Sequence, residues 1–328
     1  MSAEVADARA DDAVAGSGPP PTRSGAALDL GLRAAEAATD PALAARVLHE
    51  GLARLADSDT LSGQRRVAPG IGETMGVRQP LLAAVGRGLR RGMRQDSSAV
   101  RLDLAENLVR LAPLELHWLA FDVLADAIEA EPERSWQVIR HESHRAADWI
   151  TVDSLARLAG HGILAEPYRW AELEQLVYSP SSCERRLVGS TIATIPFVDR
   201  VAGRQPAIAV HGLALVRELI GDDRPEVQKA LAWAIRSLTI VDIDATVTFL
   251  RGEAAAARAG EDGNRAWVIR DSLGKIPSPV AAELRHSLSG IRRKPGAAST
   301  SRAAQTAATF LGLGLDVPPG DRPEINRT

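Results

Sequence analysis

The sequence predicts an all-α protein, a solenoid of short helices stacked in pairs, on three observations. Apolar residues recur at steps of three and four almost without interruption from Leu28 onward. No segment alternates with period two between hairpin turns, which argues against a sheet. Alanine and leucine dominate the apolar residues while aromatics make up only 4% of the chain, a composition suited to helices packed through small and aliphatic side chains.

The elements follow in order. Residues 1–24 are poor in hydrophobics and rich in Ala, Gly, Pro, Asp and Ser, and are expected to be a disordered N-terminal tail. Residues 41–56 (PALAARVLHEGLARLA) read as a helix with Asp40 as its N-cap. Similar periodicity predicts helices over 80–89, 99–111, 114–128, 149–158, 171–178, 183–195 and 207–220. It continues over 225–238, 243–257, 265–276 and 280–291. The turns between them carry Pro, Gly or Asp. Residues 25–292 therefore read as one helical domain, and 293–328 as a C-terminal tail with room for one extra helix at 303–313.

The second half repeats. Arg186-Leu-Val-Gly-Ser-Thr-Ile192-Ala-Thr-Ile195 is echoed 43 residues later by Lys229-Ala-Leu-Ala-Trp-Ala-Ile235-Arg-Ser-Leu238, with a less regular copy near 265–276. Two helices per roughly 40–47 residues is the spacing of HEAT-like or armadillo repeats, which stack into a solenoid with a concave binding face. A globular helical bundle is the plainer arrangement of the same helices.

Composition narrows the function. Cys183 is the only cysteine, so intrachain disulfides and thiolate metal clusters are excluded. Residues 1–24 have neither a basic start nor an apolar core, and no run of 18 apolar residues exists, so a cytoplasmic location is expected. The net charge of -3 argues against indiscriminate coating of nucleic acid. Charge is unevenly placed, however. Residues 64–101 hold Arg65, Arg66, Arg78, Arg87, Arg90, Arg91, Arg94 and Arg101 against Glu73 and Asp96, a candidate phosphate-binding surface or a solvated face. The only lysines are Lys229, Lys275 and Lys294, which makes amine nucleophiles for Schiff-base chemistry scarce.

The most informative stretch is Trp149-Ile150-Thr151-Val152-Asp153-Ser154. It sets an indole and a carboxylate one helical turn apart, so both can converge on one ligand. A carboxylate beside an aromatic wall suits a cationic substrate or a transition state that develops positive charge.

Four stretches, in order, resemble the DNA alkylation repair (AlkD-like) family of HEAT-repeat glycosylases over about residues 64–276. Met75-Gly76-Val77-Arg78-Gln79-Pro80 is similar to an early G-[VI]-x-x-P element that opens a helix. Leu116-His-Trp-Leu-Ala-Phe-Asp-Val-Leu124 is similar to the helix after the acidic turn, and Trp149 to Ser154 to the family's W-x-[ST]-V-D-S element. Gln228-Lys229-Ala-Leu-Ala-Trp233-Ala-Ile-Arg236 is similar to its Q-K-A-[IL]-x-W-x-[LI]-R helix. The resemblance implies Asp153 as catalytic carboxylate, Trp149 and Trp233 as walls beside the lesion, and Arg186 as the arginine holding DNA near the site. Arg185, Lys229, Arg236, Arg90, Arg91 and Arg94 join it as expected DNA-binding residues. Where the family often has an aromatic at the N-terminal edge of the site, this chain has Val67, which implies a more open site able to admit a bulky adduct.

The implied activity is that of a monofunctional glycosylase: it hydrolyses the N-glycosidic bond of cationic N3- or N7-alkylated purines in duplex DNA, as a monomer, without cofactor or metal. The implied role is base excision repair or resistance to a DNA-alkylating metabolite. A non-catalytic repeat module that binds damaged DNA is the alternative, and a protein-interaction solenoid a third. His141-Glu-Ser-His144 has two residues between its histidines instead of three, so i,i+4 metal ligation is not expected. Gly70-Ile-Gly72-Glu-Thr-Met-Gly76 follows no strand and reads as a turn. Trp118, Trp136, Trp170 and Trp267 are assigned to packing, and Cys183 to a helix start.

Overall fold

In the computed structural model, which describes residues 22–311, the chain is an all-α helical repeat solenoid. Its helices are α1 (Arg23–Glu36), α2 (Pro41–Leu55), α3 (Ser58–Val67), α4 (Gln79–Gly92), α5 (Ser98–Leu108), α6 (Leu114–Ala125), α7 (Pro132–Arg145) and α8 (Trp149–Ala165). They continue as α9 (Arg169–Val177), α10 (Ser182–Val198), α11 (Pro206–Leu219), α12 (Pro225–Leu238), α13 (Ile243–Ala259), α14 (Gly263–Ser272), α15 (Ser278–Ser287) and α16 (Arg302–Leu311). Among the described residues the only extended pairing is one bridge between Ala56 and Val77.

The start signals act as the sequence suggests. Asp40, Asp57, Ser97, Asp148, Asp242 and Asp262 each cap a helix by accepting a hydrogen bond from a backbone N–H in the first turn. Proline occupies the first turn of α2, α4, α7, α11, α12 and α15, where its missing N–H costs nothing.

The helices stack in two layers. Successive members α4, α6, α8, α10, α12 and α14 pack side by side in one layer, and α9, α11, α13 and α15 in the other. The pairs α7–α8, α9–α10, α11–α12 and α13–α14 join the layers. The sequence echo at residues 186 and 229 thus falls on equivalent helices of consecutive repeats, α10 and α12. These two approach closely at Gly189, where an added Cβ would lie 2.9 Å from the backbone of Ala230. That closeness brings the α12 N-terminus against side chains of α10.

Three elements depart from the expectations. Helix α1 begins at Arg23, ahead of the expected domain start, with Thr22 as its cap. Helices α3 and α7 were not expected, because both are rich in polar residues: α3 buries no residue, and α7 buries Ser135, Glu142 and Ser143 beside Trp136, Val138 and Ile139. So few apolar positions make too short a stripe to read along the chain. Residues 293–301 are tied to the domain instead of hanging as a tail. Arg293 Nη1 donates to Gln228 Oε1 at 2.8 Å, Thr300 N donates to Gly221 O at 2.9 Å, and Ser301 is buried. Helix α16 then packs on α11. Residues 1–21 and 312–328, which hold most of the two expected tails, lie outside the described residues.

Candidate active site

Helix α8 opens at Trp149, because the Asp148 side chain accepts the Thr151 N–H at 2.9 Å. This start sets Trp149 in the first turn and Asp153 one turn later on the same face. The neighbouring α10 presents Arg186 and Ser190, also one turn apart, toward α8. Arg186 donates from Nε to Asp153 Oδ1 at 3.0 Å and from Nη2 to Asp153 Oδ2 at 2.7 Å. Ser190, fully buried, donates from Oγ to Asp153 Oδ1 at 2.6 Å. The third guanidinium nitrogen, Nη1, donates to the carbonyl of Glu226 in the first turn of α12, at 2.6 Å. Three consecutive helices of one layer therefore fix a single carboxylate.

A carboxylate offers about four lone-pair positions. Two donors occupy Oδ1 and one occupies Oδ2, so one acceptor position on Oδ2 is left over. Asp153 retains 21% side-chain exposure against 7% for Arg186, and the exposed part faces a groove of about 520 Å³. The groove runs from Asp153 across α8, α6 and α4, past Arg157, Trp118, Asp122, Arg90 and Arg87. The carboxylate is thus oriented from behind and open in front, an arrangement that can stabilise a developing positive charge or hold a water.

Trp149 is half-buried. Its Nε1–H donates to the carbonyl of Val67 at 3.0 Å, and the Arg186 guanidinium lies over its ring, 5.7 Å from the centroid. Val67 ends α3 with its side chain 54% exposed, so the residue singled out from the family pattern does sit beside Trp149. Arg65 and Arg66, both exposed, flank it on the same helix. The loop from α3 to α4 is held by Glu115, wholly buried, whose carboxylate accepts the N–H groups of Met75, Gly76 and Val77 at 3.0–3.3 Å. Gly76 has φ +78°, a left-handed conformation that favours glycine, and a Cβ there would also meet Leu61.

The other expected residues fall into two groups. On α12, Lys229 and Trp233 follow Glu226 at i+3 and i+7, one face of the helix whose first turn touches Arg186. Lys229 is exposed and Trp233 half-buried. Arg90 lines the groove, with Asp126 3.8 Å away, whereas Arg91 and Arg94 are exposed outside it. Arg236 is turned toward the next repeat, donating to the carbonyl and carboxylate of Asp271 at 2.7 and 2.9 Å. Arg185 does not join the site. One position from Arg186, it points about 100° away around α10, where it binds Asp222 at 2.7 Å and the carbonyls of Ser179 and Pro180 at 2.9 and 3.0 Å.

Sequence reasoning missed Ser190, Asp122 and Arg157. Ser190 carries a readable signal, since it lies four residues after Arg186 on a helix already assigned to the site. Trp118 is buried, as a packing residue is, and it also walls the groove. Trp136 lies under the Arg169 guanidinium and Trp170 stacks on His211, as packing residues do. Among the described residues no group of His, Cys, Asp or Glu is arranged to hold a metal ion, and no helix is long and apolar enough to cross a membrane.

Fold and site together define a helical-repeat protein that presents a clamped carboxylate in an arginine-lined groove, with the indole of Trp149 one helical turn away. The family model described as DNA alkylation repair enzyme matches residues 48–273. The chain belongs to that family. The match spans every helix that contributes to the site, from the middle of α2 to the end of α14. No curated protein and no solved structure matches the chain.

Proposed function

We propose that this DNA alkylation repair protein is a monofunctional glycosylase that hydrolyses the N-glycosidic bond of cationic N3- or N7-alkylated purines in duplex DNA. The observation that carries the reading is Asp153, held by Arg186 and Ser190, partly exposed, and lining the groove. Alkylation at N3 or N7 puts positive charge on the purine and weakens the bond to the sugar. Breaking that bond moves positive charge onto the deoxyribose. The carboxylate stabilises this charge where it develops and orients the water that attacks C1′. The departing purine leaves neutral and needs no acid, and the water's proton passes to Asp153 or to solvent. One fixed electrostatic stabiliser of this kind contributes on the order of 3 kcal/mol to the barrier. The indole of Trp149 adds cation–π attraction of about 1–2 kcal/mol once water is excluded, and Trp233 is assigned the opposite wall.

Arg186 acts in this reading by orienting the carboxylate, in addition to any phosphate contact. Arg90, Arg87, Lys229, Arg65 and Arg66, all exposed, are assigned to the DNA backbone in this reading. With only three lysines in the whole chain, amines for Schiff-base strand scission are scarce, and Lys229, beside the site on α12, is assigned to the DNA backbone. The non-catalytic module remains the contrasting reading, and nothing in the site requires it.

The deciding experiment is a single-turnover release assay on duplexes carrying 7-methylguanine, 3-methyladenine or a bulky N3-adenine adduct. Release of free base, with the phosphodiester backbone intact until alkali is added, is the expected result. Tight binding of all three duplexes without release would establish the module instead.

A further inference from the structure

Asp122, on α6, lines the groove that Asp153 faces, and the mechanism above leaves it unused. It is half-buried, yet its carboxylate takes no hydrogen bond or ion pair from any described residue. Arg90 of α4 is paired with Asp126, 3.8 Å away. Burial pushes the Asp122 carboxyl above the usual carboxylate range, against the pull of Arg90 and Arg157. A half-buried acceptor without a donor is costly to maintain, so its partner is expected to come from outside the chain. Gly86 of α4 leaves room for the carboxylate itself, since a Cβ there would stand 2.7 Å from Asp122 Oδ2.

The groove around it has an apolar floor formed by Leu82, Trp118, Phe121 and Leu158, with Arg87 and Arg157 at its edges. A flat ring suits that floor. A phosphate suits the arginines but is repelled by the carboxylate, which can only accept. We propose that Asp122 reads the exocyclic amino group of a nucleobase beside the lesion, giving the protein a preference for amino-bearing bases over thymine at that position. Cytosine N4, adenine N6 and guanine N2 are donors, whereas thymine presents only acceptors and its methyl group at the groove edges. The proposal rests on the alkylated-DNA reading and adds a discrimination that the reading does not require.

The test deletes amino groups one at a time. Duplexes carrying an abasic-site analogue at the lesion position are made with guanine replaced by hypoxanthine, adenine by purine, or cytosine by 2-pyrimidinone, opposite the lesion and at each flanking pair. Affinity is measured by fluorescence anisotropy for the wild type, Asp122→Ala and Asp122→Asn. One deletion is expected to weaken wild-type binding about tenfold, the scale of one specific base contact, and to have no effect in Asp122→Ala. Asp122→Asn, which keeps the shape and one acceptor, should retain part of the contrast and guards against misfolding of the alanine variant. Equal sensitivity of wild type and Asp122→Ala to every deletion would overturn the proposal and leave the glycosylase reading standing. Failure to bind any of these duplexes would overturn both.

Discussion

Replacing Asp153 by asparagine keeps the side-chain shape, and the structure shows that it does more than remove a charge. The bidentate pair with Arg186 needs two acceptor oxygens, and Ser190 needs one of them as well. An asparagine supplies one oxygen. With its oxygen toward Arg186 Nε and Ser190, its NH2 faces the Arg186 Nη2 donor across what was a 2.7 Å contact. Arg186, 7% exposed, is then left without its counter-ion. Breaking a buried pair from one side costs about 3–5 kcal/mol, and the 21% exposure of Asp153 argues for the lower end. At roughly 2–4 °C per kcal/mol, Tm should fall by about 6 °C or somewhat more. The rate effect is separate: losing one preorganised electrostatic stabiliser lowers the chemical step by about 10²–10³-fold. Both are read in one set of measurements. Thermal unfolding by circular dichroism gives the stability loss, and single-turnover release of 7-methylguanine, with enzyme saturating and below the unfolding transition, gives the rate. A variant that is fully folded at the assay temperature and releases base within about threefold of wild type would refute the assignment of Asp153.

Ser190→Ala removes one of the three donors while leaving the Arg186 clamp, so release should fall by about tenfold or less, with a stability loss of about 1–2 kcal/mol; an effect as large as that of Asp153→Asn would show that Ser190 has a role of its own. Arg90 lines the groove and Arg94 does not, so Arg90→Ala should reduce the slope of log affinity against log salt by about 0.9 and Arg94→Ala should not; equal slopes would mean that the groove is not the phosphate surface. Val67→Tyr should slow release of a bulky N3-adenine adduct while sparing 3-methyladenine, and an equal effect on both would remove Val67 as a gate on lesion size. The Asp122 carboxyl is raised in the folded chain, so its protonated form is favoured there and the stability it contributes declines as pH rises through the carboxylate range. Asp122→Asn, which cannot ionise, should therefore keep or raise Tm at pH 7, and a clear drop would reveal a structural partner for Asp122.

Much of this site was legible because it obeys helical periodicity. Trp149 and Asp153 can be placed on one face from spacing alone, and the 43-residue echo puts Arg186 and Lys229 on equivalent helices. The periodicity ends at the edge of each helix. That Arg186 meets Asp153 depends on how closely α8 and α10 approach, which no spacing along the chain encodes. The same limit explains Arg185, equally basic and adjacent in sequence, yet committed to Asp222 by one step of rotation around α10. Helices α3 and α7 were not anticipated because their polar residues outnumber the few apolar ones that would mark a stripe, and α3 is the helix that sets Val67 against Trp149.

The two carboxylates of the groove show how one surface can hold opposite electrostatic designs. Asp153 has its charge met by an arginine and a hydroxyl, so its orientation is fixed before any ligand arrives and little reorganisation is needed when positive charge appears. Asp122 has no such support, and its environment penalises its charge. A fold under selection for stability alone would replace an unsupported half-buried carboxylate with an apolar or amide side chain, because such a change is neutral or favourable. Its placement in the same groove as a carboxylate that the fold braces from three helices is therefore evidence that the groove is shaped for a ligand carrying both a cationic centre and a hydrogen-bond donor. Damaged purine and neighbouring base supply those two features side by side.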